Sequence, residues 1–192
     1  MDPKEFIEIV KVANSLKLNT RHCWTIGDRK ESIADHSWRI AFMAMLLDGE
    51  GDLKDVDMDR VIRMCLIHDF GEAFTGDIPA WKKTKDDSDV EDDELFAWVD
   101  TLPEHQKEEW LDLLKEMKAM ETKEAKTYKA LDRIEALISH NESDISTWLD
   151  HEYDLQFTYG QENMEFSEFF KAIRKEIDDW SKEKIETEKR KD

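Results

Sequence analysis

The chain has 192 residues, with 47 acidic against 28 basic side chains and a formal net charge of −19, a balance that excludes a nucleic-acid coating protein by simple repulsion. The length suits a single domain over 1–192 whose core, about 6–180, needs no disulfide support. The opening MDPKEF is charged and the longest apolar run, Ile40 to Leu47, is far too short for a bilayer, so a cytoplasmic protein with no membrane or nucleic-acid partner is expected, and any phosphate-handling site must bring a cation and a few placed basic groups.

Phe6, Val10, Ala13 and Leu16 recur at helical spacing and predict a first helix to about Leu18. A polar loop from Asn19 to Ser32, containing Gly27 and Cys23, follows and is free to line a site. A second helix is predicted from an Asp35 cap through Trp38, Ile40, Met43 and Leu47 to the stops Gly49 and Gly51. The third begins at the Asp57 cap, carries Cys65 in a middle that is apolar all round, and reaches Phe74 before Gly76 and Pro79 end it. From Lys82 to Glu94 the acidic KKTKDDSDVEDDE reads as a solvated connector, a candidate lid. Leu95–Val99, Trp110–Met117 and Tyr128–Ile138 give further helical patterns, with Pro103 separating the first two. A last helix carries Phe166, Phe169, Phe170, Ile173, Ile177 and Trp180, and the charged tail 181–192 is expected to fray. No sustained two-residue alternation occurs, so the fold class is all-α. Two cysteines without CxxC spacing fit a reducing compartment and are poor ligand candidates.

The chemistry centres on His68-Asp69, two metal-ligand types that follow a buried apolar run. Burying both unpaired costs several kcal/mol, which a cation would relieve; a carbonyl cap for His68 and an arginine for Asp69 would relieve it equally well. Glu72, four residues after His68, falls on the same helical face, and crowded carboxylates again favour a cation, although an exposed glutamate without duties is the commoner case. His36 stands in the first turn of its helix, whose N-terminus disfavours a protonated imidazole, the state a metal cannot use. Asp132 interrupts the apolar Leu131 and Ile134, a place poorly tolerated without a partner, for which Arg133 is the plain candidate.

The order His36, His68-Asp69, Asp132, together with ADHSWRIAFMAMLL, CLIHDFGEAFTGDIP and KALDRIEALI, resembles the HD-domain phosphohydrolase superfamily, in its 5′-deoxynucleotidase branch. The block HDxxExxTGDxP from His68 to Pro79 is the most specific part, and the resemblance covers about Phe6 to Ile138. It implies an HD-domain helical bundle in which His36, His68, Asp69 and Asp132 ligate one divalent ion: manganese, cobalt, zinc or magnesium. It further implies that Glu72 lies near the phosphate and attacking water, that Asp77 contacts the sugar hydroxyl, and that Arg21 contacts substrate. Bacterial members carry Trp directly after that arginine; this chain has His22 there, with Trp24 as the candidate replacement and Lys83 as a candidate for reaching the phosphate. The implied reaction is hydrolysis of deoxyribonucleoside 5′-monophosphates by a homodimer. Action on a triphosphate, guanosine polyphosphate or cyclic nucleotide, and a non-catalytic nucleotide sensor, are the alternatives.

Overall fold

A computed structural model describes residues 1–25, 27 and 29–189, the side chain of Lys189 excepted. Positions 26 and 28 of the expected polar loop and 190–192 of the expected tail lie outside the described residues. Among the described residues the order is α1 (Pro3–Ala13), β1 (Thr20–Trp24), β2 (Lys30–Ser32), α2 (Ile33–Leu46), α3 (Met58–Ile67), α4 (Glu72–Thr75), α5 (Lys85–Val99), α6 (Glu104–Ala119), α7 (Lys123–Glu142), α8 (Glu152–Thr158) and α9 (Glu168–Lys189), with short 3-10 turns between some of them. The class is helical, as expected from composition.

Helices α2, α3 and α7 pack on one another and form the frame of the site. Their facing side chains, among them Ile40, Ala44, Val61, Met64, Leu131 and Ile134, are fully buried in one cluster that runs from Leu16 to Ile177. Truncating one of the larger of these to alanine would cost about 2–5 kcal/mol. No helix among the described residues is long and apolar enough to cross a membrane.

Local chemistry moves several boundaries from their expected places. Helix α2 starts at a Ser32 cap whose hydroxyl accepts the Asp35 amide; Asp35 is the reciprocal partner in a capping box, three residues in. The loop 19–32 contains an antiparallel hairpin, β1 with β2, whose irregular register pairs Thr20 with Ser32 and Trp24 with Lys30. So short and bulged a pair has no alternation to read. The expected connector 82–94 is mostly helix: Thr84 and Asp87 form a capping box at the start of α5, which buries Leu95 and Val99. Capping and two anchors outweigh the low apolar content. The last helix does not fray at Ser181, which is fully buried, with its hydroxyl donating to Asn141 and accepting from Gln156.

The third predicted helix is broken. It ends at Ile67, and α4 resumes at Glu72 after a turn in which the amides of Phe70 and Glu72 bond the carbonyls of Ile67 and Asp69, three residues back. Phe70 anchors that turn by stacking on Trp98 at 4.5 Å and meeting Trp110 edge-on at 5.0 Å.

Gly160 seats the segment after α8 against α7. Its φ is +65°, and a Cβ there would stand 2.6 Å from Cβ and Cγ of Arg133. Gly160→Ala therefore combines left-handed strain with overpacking, about 2–4 kcal/mol together, and lowers the thermal midpoint by about 4–16 °C. Thermal unfolding by circular dichroism checks this; an unchanged midpoint refutes it.

Candidate metal centre

His36, in the first turn of α2, and His68, in the turn after α3, point their Nε2 atoms at each other across 3.2 Å. Asp132 Oδ1 of α7 lies 3.3 Å from the His36 nitrogen and 3.9 Å from that of His68. Asp69 Oδ2 lies 3.0 Å from His68 Nε2 and 3.9 Å from His36 Nε2. Metal–donor bonds of about 2.0–2.2 Å require ligand atoms about 3–4 Å apart, and these separations comply.

The tautomers decide what the cluster wants. His68 Nδ1 is 2.9 Å from the Cys65 carbonyl, which can only accept, so it carries the proton. His36 Nδ1 is held in a short contact by the fully buried carboxylate of Glu135, to which it donates. Both Nε2 atoms are thereby left with lone pairs directed at one point, where two acceptors cannot bond each other and a cation satisfies both. The donor set fits a divalent ion.

The plain partners are present too, and for His68 and Asp132 they use other atoms. His68 caps a carbonyl through Nδ1 and keeps Nε2 free for a metal. Asp132 takes Lys129 on Oδ2 at 2.9 Å, with Arg133 at 3.7 Å, and turns Oδ1 to the centre. Asp69 Oδ2 accepts from Arg21 at 3.3 Å. Burial opposes ionisation of Asp69, but His68 and His36 hold it well below the usual carboxylate range. Asp132 likewise resists burial through Lys129, His36 and Arg133. For His36, burial and Arg21 act downward, yet Glu135 and Asp132 raise it to about 9, so a divalent ion gains the Nε2 lone pair by displacing a proton.

Behind the ligands lies a buried acidic pair. Ser139 Oγ is 2.7 Å from Glu135 Oε1 and 3.0 Å from Glu31 Oε1, and Arg21 Nε stands 3.1 Å from Glu31 Oε2. Glu31, Glu135 and His36 also bring ligand atoms within 4.8 Å of one another. The guanidinium of Arg21 and the Ser139 hydroxyl already occupy that neighbourhood, so this group reads as support for His36. Burial and Glu135 push Glu31 up to about 7, whereas His36 overcomes burial and brings Glu135 down to about 2. Glu135→Ala is expected to weaken divalent-cation affinity by about 10–100-fold, measured by competition with a chromogenic chelator; wild-type affinity would refute it.

Glu72 is 4 % exposed, and its Oε2 has no hydrogen-bond partner. Burial, then the charges of Asp69, Asp77 and Glu91, raise it to about 9 against the pull of Lys83. Lys83 is a site neighbour and no solvated bystander: its Nζ is 3.8 Å from Glu72 Oε1 and closely paired with Glu91. Arg21 and Asp77 line an open cavity together with His22, Cys23, Trp81 and residues of α7 and α8. Burial raises Asp77 above its ordinary range. Trp24 does not join them. It sits at the end of β1 under Lys30, whose Nζ is 4.4 Å from its ring centre, and Trp81 supplies the cavity's tryptophan. Cys23 lines the cavity from β1, with burial pushing its thiol up to about 12, which suits neither nucleophile nor ligand.

Sequence reading missed Glu135, Glu31 and Trp81. Glu135 carried a usable signal, since it interrupts the same apolar face as Asp132 three residues later. Glu31 and Trp81 carried none, being polar or aromatic residues in segments without periodicity.

A helical frame around two imidazole nitrogens and two carboxylates, opening on a cavity with an arginine, defines a metallohydrolase-type site. The model of the HD domain matches residues 13–174. The chain belongs to the HD-domain family. It is similar to the 5′-deoxynucleotidase HDDC2 of Dictyostelium discoideum, 30% identical over 178 residues that cover 88% of each chain. It also resembles the Xenopus laevis protein of the same name, 32% identical over 70% of this chain and 67% of that one. Among solved structures, a predicted metal-dependent phosphohydrolase from Magnetospirillum magnetotacticum MS-1 superposes with a TM-score of 0.79 at 30% identity, covering 94% of this chain and 93% of the other.

Proposed function

We propose that the chain hydrolyses deoxyribonucleoside 5′-monophosphates to deoxynucleoside and inorganic phosphate, with one divalent ion, manganese, cobalt, zinc or magnesium, held by His36, His68, Asp69 and Asp132. The observation that carries this reading is the pair of Nε2 lone pairs facing each other at 3.2 Å beside two carboxylate oxygens. Relatives named 5′-deoxynucleotidase supply the substrate class. When bound, a divalent ion neutralises phosphate oxygens and acidifies water, a need set here by the net charge of −19.

The chain's own residues do the rest. Arg21, lining the cavity between Glu31 and Asp69, offers its remaining guanidinium donors to phosphate oxygens. Asp77 accepts from a sugar hydroxyl. Glu72 Oε2, buried and unpartnered, orients the attacking water and, in the ionised form that a divalent cation beside it would favour, takes its proton. Water attacks phosphorus opposite the O5′ oxygen, the P–O5′ bond breaks, and O5′ is protonated from solvent at the cavity mouth. Lys83 neutralises charge beside Glu72.

Phosphate release from dAMP, AMP, ATP and cyclic AMP, with each of the four metals added to stripped protein, tests the assignment. Release from dAMP above the others is expected, and no release from any monophosphate with any metal refutes it.

We further read residues 1–192 as one HD domain acting as a homodimer in the cytoplasm, with Cys23 and Cys65 unpaired. Trp38, Phe42, Met45 and Leu46 line one exposed face of α2, with Trp38 65% and Met45 62% exposed, a surface that suits self-pairing. Size-exclusion chromatography with light scattering should give twice the chain mass, and a monomer would refute the dimer.

A further inference from the structure

We propose that Trp81 is the platform on which the cavity stacks the nucleobase of its substrate, an inference that rests on the nucleotide reading above. Trp81 lies outside the HDxxExxTGDxP block, and neither the metal ligands nor the phosphate contacts account for it. It stands on a fixed turn: the Pro79 carbonyl accepts the amides of Lys82 at 2.7 Å and Lys83 at 3.1 Å. The same turn region carries Asp77 on one side and Lys83 on the other, so sugar contact, aromatic ring and phosphate-side cation come from one short stretch.

Two further rings clamp the indole. His22 meets it nearly perpendicular at 4.9 Å and His151 at 4.9 Å with a 65° tilt. His22 is itself tied down, its Nε2 2.9 Å from Glu152 Oε1. A tryptophan so constrained has lost its rotamer freedom, yet it lines the cavity and stays 37% exposed. An orientation set in advance, with part of the ring still exposed, suits a flat ligand that covers it on binding. The apolar Leu155 and Ala136 and the aromatic Tyr159 share the cavity lining with the polar His140, Glu152 and Gln156, a mixture that suits a flat ring with polar edges. Stacking reads a π face and not a hydrogen-bond edge, so the platform accepts every base and favours the larger purines.

The test compares dAMP with 2-deoxyribose 5-phosphate, which keeps sugar and phosphate but lacks the base. Equilibrium titration calorimetry on the full chain, stripped of metal so that nothing turns over, gives both dissociation constants. Trp81→Ala is expected to weaken dAMP by about 5–150-fold and to leave 2-deoxyribose 5-phosphate unchanged, while Trp81→Phe keeps most of the dAMP affinity. Equal weakening of both ligands would assign Trp81 to the cavity's structure alone and overturn the proposal, as would wild-type dAMP affinity in Trp81→Ala. Phosphate release is assayed in parallel. A Trp81-dependent preference for dAMP without release in any metal would keep the platform and overturn the hydrolytic reading instead.

Discussion

Asp69→Ala is expected to lose bound metal and turnover together, with phosphate release falling to the level of a protein-free blank. Asp69 Oδ2 serves two partners at once, lying 3.0 Å from His68 Nε2 and accepting from Arg21 at 3.3 Å. Its removal takes away a ligand and also leaves a buried guanidinium with less of its countercharge. Breaking a buried pair on one side costs about 3–5 kcal/mol, so the variant should also unfold at a lower temperature. Asp69→Asn separates the two effects. It preserves shape and hydrogen bonding to Arg21 and so keeps more stability, but a neutral amide is a poor ligand for a hard divalent ion. Metal content by inductively coupled plasma mass spectrometry, read beside activity and thermal midpoint, decides. Metal retained at the wild-type level in Asp69→Ala would remove this residue from the centre.

Glu72→Ala should behave in the opposite way, keeping its metal while turnover drops by about 10²–10⁴-fold, the usual share of a positioned acid or base. The carboxylate is buried, is pushed up to about 9 by that burial and by Asp69, Asp77 and Glu91, and presents an oxygen with no partner. Its ion-pair partner is Lys83, 3.8 Å away. A thermal midpoint close to that of the wild type, measured on the same variant, separates lost chemistry from lost folding. Steady-state kinetics with dAMP and metal analysis on the same preparation check the pair of outcomes. Full activity in this variant would show that the water is activated without Glu72.

The two variants thus separate holding the ion from using it. That separation follows from where the elements place the side chains: Asp69 lies in the turn after α3, whereas Glu72 is the first residue of α4. On the continuous helix expected from sequence both would share one face with His68.

Fold class, the order of the main helices and, through the family resemblance, the four side chains that converge at His36, His68, Asp69 and Asp132 were legible in the sequence. Each depends on local information: helical spacing of apolar residues, the Asp57 cap, and ligand-type side chains such as His68 and Asp132 set where burial without a partner is costly. The hairpin at 20–32, the break after Ile67 and the helical stretch 85–94 were not legible. They depend on the capping box at Thr84, on a bulged register and on the stack of Phe70 against Trp98, which periodicity does not register.

Composition and motif alone determined that this chain is helical, acidic and built to gather a cation among histidines and carboxylates. Only the tertiary structure decided which nitrogen of each histidine faces the centre of the cluster, because Glu135 and the Cys65 carbonyl, 99 and three residues away in the chain, take the other one. It also decided that Trp81 and not Trp24 enters the cavity. A hydrogen bond or ring contact between distant segments exists only once the apolar faces of α2, α3 and α7 have closed, so no local pattern can announce it.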